Sequence, residues 1–398
     1  MKIENLLVTG ENVFIDRRKF LFVEMANQLK NIEFLPREME WYEKKYIKQF
    51  IKAFYTMRML SRSKANSLFE KNAGAFILKS KRSEHRISQL ERTPDYVFHI
   101  FGTYSPFWER SDIPYAVYLD YTMALAEKAW TPWATFSSRK ERDAWLKCET
   151  QLYQRSHHLF VMSDIVKNSL IEDYRIDARK ITTVGLSSIF REPYEGLKTF
   201  GSQRILFIGS DFERKGGDIV LKAFKFVKEK LPNVSLTMVG KKLKTSIEGI
   251  ETPGSISSHA TLEQLFLNAD LAIAPAHCEP MGIFILDAMS CGVPCIVSAN
   301  DWNGIPEFLE HGVDGIKINQ LCPELLANHI ISLLENTSTL ESMSHAARNI
   351  VKTQLNWKAI AHKIMQTVQG NHTLTMIVLQ IVLQAFWEYL IGYDALIF

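Results

Sequence analysis

"HCEPMGIFILDAMSCGVPCIVS", residues 277–298, sets a glutamate beside a Pro-Met-Gly turn, then an apolar segment with one aspartate, then Cys-Gly-Val-Pro. The run before it, "LAIAPA" (271–276), has the short apolar pattern of a buried strand. "HCEPMG" then reads as a loop and "IFILDAMSC" as one helical segment, stopped by Gly292 and Pro294. The order strand, loop, helix puts a glycine where a helix begins. The first amides of a helix lack intrahelical acceptors and lie at the positive end of its dipole, so this turn suits a phosphate. Gly282, between Met281 and Ile283, has no side chain to keep an anion away from the backbone.

The two acids of this stretch, Glu279 and Asp287, are poorly spaced for hydrolysis. Eight helical positions separate backbones by roughly 12 Å, well beyond the roughly 5 Å of a retaining glycosidase pair. They suit the two ends of one elongated ligand better: Glu279 on a sugar hydroxyl, Asp287 on a ribose, and a diphosphate over the helix terminus between them. That ligand is a nucleotide sugar. The plain alternative is an ordinary strand-loop-helix whose acids face water. A second stretch, "FIGSDFERKGGDIVLKAF" (207–224), carries Arg214 and Lys215 in a loop after a strand, and two glycines before a helix. Cations there meet the same diphosphate and neutralise charge that grows as it departs. A surface role is the alternative for both.

Working outward, buried-strand runs recur at "YVFHIF" (96–101), "YAVYLD" (115–120), "LFVMS" (159–163) and "ITTVG" (181–185). A second series follows at "RILFIG" (204–209), "SLTMVG" (235–240), "LAIAPA" and "PCIVSA" (294–299), with helical patterns between. Strand and helix alternate twice over, which predicts an α/β protein of two Rossmann-like domains with parallel sheets facing across a cleft. Ligands of such sheets bind beyond the carboxyl ends of the strands. The segment 186–203 lacks a sustained period and marks the boundary, with a hinge near Lys198. The expected units are 1–195, 196–370 and an apolar tail, 371–398. That tail, "TLTMIVLQIVLQAFWEYLIGYDALIF" from Thr373, is borderline for a membrane span; a core helix and a membrane-surface element are the other readings.

The chain has 398 residues, 46% hydrophobic and 23% charged, enough for two cores and no general case for disorder. Net charge is +3. Residues 42–86 are strongly basic, and Tyr46, Ile47, Phe50, Ile51, Phe54 and Met57 recur at helical spacing among lysines, as in a basic amphipathic helix. This is either a solvated face or a contact for an anionic membrane or acidic acceptor; without a recognised nucleic-acid module it does not support nucleic-acid binding. Five cysteines with no CxxC pair argue against a disulfide framework and a structural zinc site. The expected location is cytoplasmic, possibly with peripheral membrane association, since the N-terminus does not resemble a signal peptide.

The order and spacing of these motifs resemble the retaining glycosyltransferases of family 4, the glycosyltransferase group 1 family with the GT-B fold. The likeness runs over roughly residues 5–366, through "NVFIDRRKFLFVEMANQL", "LYQRSHHLFVMSDIVKNSLIEDYRIDARKITTVG", "GSDFERKGG", "EPMGIFILDAMSCGVPCIVS", "GIPEFLEHGVDGIKI" and "NWKAIAHKIM". The family's E-x7-E signature, whose first acid contacts the donor sugar and whose second binds ribose, falls on Glu279 and on Asp287, which is one methylene shorter. Lys215 matches the family's phosphate-binding lysine, while Ser210 stands where an arginine is common. Many relatives hold a histidine after the strand corresponding to "PYAVYLDYT"; this chain has Asp120, which the resemblance implies orients the acceptor and which could otherwise cap the next helix. His99, His157 and His158 read as packing or surface residues.

The resemblance implies metal-independent transfer of a sugar from a nucleoside-diphosphate-sugar donor to a glycan, lipid-linked or small-molecule acceptor, with retained anomeric configuration and no cofactor. The catalytic set is Glu279, Lys215 and Asp120; the donor-binding set is Arg214, Met281, Gly282, Ile283 and Asp287. Two rival readings are a nucleotide-sugar epimerase on the same fold and a catalytically degenerate nucleotide-sugar-binding protein.

Overall fold

The computed structural model describes residues 2–35, 49–50, 53–54, 56–57, 68–69, 71–110 and 112–370. Most of the basic stretch before residue 71 and all of the apolar tail 371–398 lie outside the described residues.

Strands β1 (Asn5–Gly10), β2 (Asn31–Phe34), β3 (Tyr96–Ile100), β4 (Tyr115–Leu119), β5 (His158–Val161) and β6 (Ile181–Thr183) form one six-stranded sheet in the order β2-β1-β3-β4-β5-β6. Strands β7 (Arg204–Gly209), β8 (Ser235–Gly240), β9 (Ile250–Gly254), β10 (Leu271–Ala274), β11 (Cys295–Ser298) and β12 (Gly315–Ile318) form another, in the order β12-β11-β10-β7-β8-β9. Neighbouring strands pair in parallel throughout both sheets. All eight strand runs expected from the sequence are present.

Between them run helices α1 (Asn12–Asp16), α2 (Lys19–Ala26), α3 (Ala73–Ser88), α4 (Met123–Ala129), α5 (Arg139–Arg155), α6 (Asp164–Glu172), α7 (Gly217–Lys230), α8 (His259–Asn268), α9 (Ile283–Ser290), α10 (Pro323–Leu334), α11 (Thr337–Thr353) and α12 (Trp357–Gln369).

Successive strand residues point to opposite faces, and here both faces are buried, which is why the strands read as continuous apolar runs. In the first sheet Leu6, Val8, Phe98 and Ile100 join one apolar cluster, while Leu7, Val97, Val117 and Leu159 join another with Phe76, Trp145 and Leu152 of the helices α3 and α5. In the second, Ile205, Phe207, Leu236 and Met238 pack beneath α7 and α10, while Leu206, Ala272 and Cys295 face the other way.

The strand orders fix where a ligand can enter. The chain runs from β7 outward to β9 and returns to lay β10 on the other side of β7, so the order reverses between β7 and β10. The connections leaving the carboxyl ends of those strands part at such a switch point and leave a crevice. The first sheet reverses in the same way between β1 and β3.

Helix α12 ties the two sheets together. Trp357, Ile360, Ala361, Ile364, Met365 and Val368 recur at helical spacing, are all buried, and belong to the cluster that also holds Leu6 and Val8. Asn356 caps its start by accepting from the amide of Ala359 at 2.8 Å. The helix packs on α2, and Lys363 Nζ donates to the carbonyl of Thr183 at 2.7 Å. The indole of Trp357 donates to the carbonyl of Ser188 at 2.9 Å and holds the segment between β6 and β7. Trp357→Ala removes a buried ring and that hydrogen bond together, and should cost about 3–5 kcal/mol by calorimetry; an unchanged Tm would contradict this account of α12.

Candidate functional site

The loops after β7 and β10 meet backbone to backbone. Gly216 has φ +75°, and a Cβ there would lie 2.0 Å from the carbonyl oxygen of Pro275. Only glycine fits that conformation at that distance. The amide of His277 donates to the carbonyl of Arg214 at 2.8 Å, which joins the loops directly. Across the second loop, Asn303 accepts from the amide of Glu279 at 2.6 Å and donates to the carbonyls of Ala276 and Ser298 at 3.1 and 3.0 Å. The amide of Gly304 donates to the Glu279 carbonyl at 3.1 Å.

Glu279 is thereby aimed at the first loop. Its Oε2 lies 3.1 Å from Lys215 Nζ and 3.2 Å from Arg214 Nη1. Burial alone would push this carboxyl up; the charges of Lys215 and Arg214 outweigh it and hold the group below the usual carboxylate range. Arg214 has further partners in the protein: Nε donates to Asp211 at 2.9 Å and Nη1 also donates to the carbonyl of Cys278 at 2.5 Å. It binds the loop that carries Glu279, a role that its place in the sequence did not disclose.

Helix α9 starts at Ile283 behind Gly282, whose φ is +68°. Lys215, Glu279, Gly282, Phe284 and Ile285 line a cavity of about 10 Å³, space for about one water molecule. Met281 is buried and joins the apolar cluster that runs between the two sheets. Gly292, at φ +70°, follows the helix end, and the amide of Val293 closes the cap on the carbonyl of Ala288 at 2.8 Å.

Asp287 is 3% exposed, and its Oδ1 accepts from Ser188 Oγ at 2.7 Å and from the amide of Ile189 at 2.9 Å. The carboxyl thus grips the segment between the two sheets. Asp120 directly follows β4, half-buried; burial pushes its carboxyl up to about 6, against the pull of the nearby Arg18, and the negative charge of Glu279 adds to the rise. The cap of α4 is Thr122, whose hydroxyl accepts from the amide of Leu125 at 3.1 Å, so Asp120 is not spent as a helix cap. Glu279, Lys215, Arg214 and Gly282 therefore converge, Asp120 lies within electrostatic reach of Glu279, and Asp287 is turned to other partners.

The comparisons with known proteins meet this geometry. Residues 195–350 match the family described as glycosyl transferases group 1. The match falls on the half of the chain built on the second sheet. Among curated proteins, the chain is 26% identical over 254 residues to the D-inositol 3-phosphate glycosyltransferase of Segniliparus rotundus, covering 56% of this chain and 54% of the relative. It is 25% identical over 189 residues to spore coat protein SA of Bacillus subtilis, covering 43% and 50%. The chain thus spans about half the length of these curated relatives. Among solved structures, Anabaena HepE in complex with UDP and glucose matches 93% of this chain and 100% of its own with a TM-score of 0.62 at 14% identity. WaaG, a glycosyltransferase involved in lipopolysaccharide biosynthesis, gives a TM-score of 0.63 at 15% identity, covering 93% of this chain and 100% of its own. The architecture is the GT-B fold.

Other residues around this site were not singled out in the sequence. Arg18 lies 3% exposed beside Asp120, stacked 4.6 Å from the centroid of Phe101, and its buried Nε has no hydrogen-bond partner. Trp133 lies over the guanidinium of Arg214 at 4.7 Å, and Tyr121 Oη is 3.3 Å from Cys278 Sγ. The signal available was "AWTPWATF" (129–136), three aromatics in the loop that follows α4. The histidines are structural as expected: His99 is fully buried between Thr9 Oγ1 and the carbonyl of Tyr104, both at 2.7 Å, and burial lowers its pKa to about 3. Among the described residues there is no cluster of three or more side chains able to hold a metal ion.

Asp287 yields a pH prediction. Burial raises its pKa in the folded chain to about 7, against about 3.9 in an unfolded one. Between those values the folded state keeps a proton that the unfolded state has lost, so this group's contribution to stability falls as pH rises from about 4 through about 7. Asp287→Asn keeps an acceptor for Ser188 and Ile189 and cannot ionise. Its stability relative to wild type should therefore increase by on the order of a few kcal/mol between about pH 5 and about pH 8 in denaturant melts; a constant difference would contradict the placement of this carboxyl.

Proposed function

We propose that this chain transfers a sugar from a nucleoside-diphosphate-sugar donor to an acceptor hydroxyl with retention of anomeric configuration. The observation that carries the reading is Glu279, held between Lys215 and Arg214 at the switch point of the second sheet. In this reading Lys215 exchanges Glu279 for the donor diphosphate, whose charge is shared with the first amides of α9. Glu279, freed of one partner, accepts from a donor-sugar hydroxyl. Gly282, Met281 and Ile283 form the turn under the phosphates, and Asp287 is assigned to the ribose end, in competition with its present bonds to Ser188 and Ile189.

The transfer forms a bond from the acceptor oxygen to the anomeric carbon and breaks the bond from that carbon to the phosphate oxygen. The acceptor proton passes to the departing phosphate on the same face. Asp120 orients the acceptor hydroxyl. Holding donor and acceptor together supplies several kcal/mol, on the order of 7–11 at best, toward the barrier. No metal or other cofactor takes part in this scheme. The first sheet's half, residues 1–195, receives the acceptor, and residues 196–370 receive the donor.

The relatives do not fix one donor. HepE was solved with UDP and glucose, and a Mycobacterium tuberculosis relative 25% identical over 175 residues is named as a GDP-mannose-dependent mannosyltransferase acting on a phosphatidylinositol monomannoside. The acceptor class proposed for this chain is a polyhydroxyl compound, as a glycan, a glycolipid headgroup or a small molecule. We place the reaction in the cytoplasm, peripheral to a membrane; no helix among the described residues is long and apolar enough to cross one.

The hydrogen bonds that occupy Asp287 favour a second reading, a nucleotide-sugar-binding protein without turnover. A panel of UDP- and GDP-sugars with a cell lipid extract and free sugars, followed by mass spectrometry, separates the readings. Transfer predicts acceptor-dependent release of nucleoside diphosphate, with Glu279→Ala and Lys215→Met each slowing it about 10²–10³-fold. A modified sugar formed without acceptor indicates epimerisation, and nucleotide binding without any release indicates the degenerate protein. Full activity in Glu279→Ala would remove this residue from its assigned role.

A further inference from the structure

The half of the molecule built on the first sheet contacts the Glu279 loop through aromatic residues on either side of α4, Tyr121 before it and the turn with Trp130 and Trp133 after it. Trp133 sits in a single turn of 3₁₀ helix, Thr131–Ala134, with Pro132 near its start. Lys71 Nζ donates to the Trp133 carbonyl at 2.6 Å and fastens the turn to its own half. The indole reaches across the gap and covers the guanidinium of Arg214, 4.7 Å from the ring centroid. Tyr121 meets Trp133 edge to face at 5.8 Å, and its hydroxyl lies 3.3 Å from Cys278 Sγ. Trp130 stacks on His277 at 6.5 Å with 22° between the rings.

These contacts fall on Arg214, which pairs with Glu279, and on His277 and Cys278, the two residues that precede it. Arg214 donates to the Cys278 carbonyl and to Glu279 through the same Nη1. A guanidinium held at its edge by Asp211 and covered on a face by an indole has little freedom left to turn. The orientation of Glu279 is therefore set in part by a residue of the opposite half, through one intermediary.

We propose that Trp133 is a cross-cleft positioning residue: by covering Arg214 when the two halves meet, it fixes the Glu279 carboxylate in the orientation used at the donor sugar. Approach of the halves and orientation of the carboxylate thus become one event. Withdrawal of the aromatic turn frees Arg214, loosens the loop and removes the ring against which Tyr121 packs, so that Cys278, fully buried beside Tyr121 here, becomes accessible. The part concerning the donor sugar rests on the transferase reading; the part concerning the loop does not.

The test has two arms. The first uses no substrate: the purified full chain is treated with a maleimide, and modification of each cysteine is followed by peptide mass mapping. Cys148, 4% exposed in the core of the first sheet's half, reports global unfolding. Trp133→Ala should raise the labelling rate of Cys278 at least about fivefold with Cys148 unchanged, and Trp133→Phe, which keeps a ring over Arg214, should restore most of the protection. Cys278 labelling unchanged in Trp133→Ala, or a rise matched at Cys148, would overturn the proposal. The second arm measures transfer. Trp133→Ala should lower kcat at least about tenfold while the donor KM changes less than about threefold, the split expected when an orientation used in the transition state is lost, again with rescue by Trp133→Phe. A rise in KM alone would overturn the positioning role. Absence of transfer in the wild-type chain would defeat the transferase reading and leave the labelling result to decide the loop's dependence on Trp133.

Discussion

One carboxylate shared by two cations organises the site. Glu279, with a side chain 15% exposed, is close enough to Lys215 and Arg214 for both to donate to the same oxygen. An ionised carboxyl so far from water is costly unless paired and hydrogen-bonded. The pairing requires the loops after β7 and β10 to stand closer than side chains ordinarily permit. Gly216 against the Pro275 carbonyl makes that approach possible, and Gly304 does the same further on, since a Cβ there would lie 2.1 Å from the carbonyl oxygen of Pro280. The parallel sheet supplies the location, because its strand order reverses where these two loops leave it.

A paired carboxylate is a store of binding groups as well as a stabilised one. Each partner of Glu279 is a group that a nucleotide sugar could use: the cations match a diphosphate and the carboxylate matches sugar hydroxyls. Exchanging one such set for the other leaves no buried charge alone. Tyr121 and Trp133 belong to the other half, and their contacts with Cys278 and Arg214 show how near the two halves come. The rest of the molecule maintains that approach. Glu307 accepts from the amides of Asp164 and Ile165 at the start of α6, at 2.6 and 3.0 Å, and α12 carries the apolar cluster from one sheet to the other.

The strand-helix rhythm was readable because strands buried on both faces carry unbroken apolar runs. Where burial is partial, the signal weakens. β9 carries Thr252 and Pro253 and pairs only with β8, as edge strands do, and β2 and β12 are short edges of their sheets. β1 is central and buried, yet its apolar core is the three residues Leu6–Val8, below the usual length for confident assignment. Glu279, Lys215 and Gly282 were legible because strand-loop-helix order alone brings them to one end of a parallel sheet. Arg214 could be placed in the right loop but not given a direction. Asp287 was read by its spacing from Glu279, whereas its contacts come from Ser188 and Ile189, a hundred positions earlier in the chain and beyond any local pattern. Trp133 escaped for the same reason: its importance comes from what the opposite half sets beneath its ring.

The most direct measurement is a crystal structure of the chain soaked with UDP or GDP. The account predicts the diphosphate over the amides that open α9, with Lys215 Nζ transferred from Glu279 to a phosphate oxygen and Arg214 still bound to the Cys278 carbonyl. A nucleotide seated away from the Gly282 turn, or one bound while Lys215 stays paired with Glu279, would contradict it.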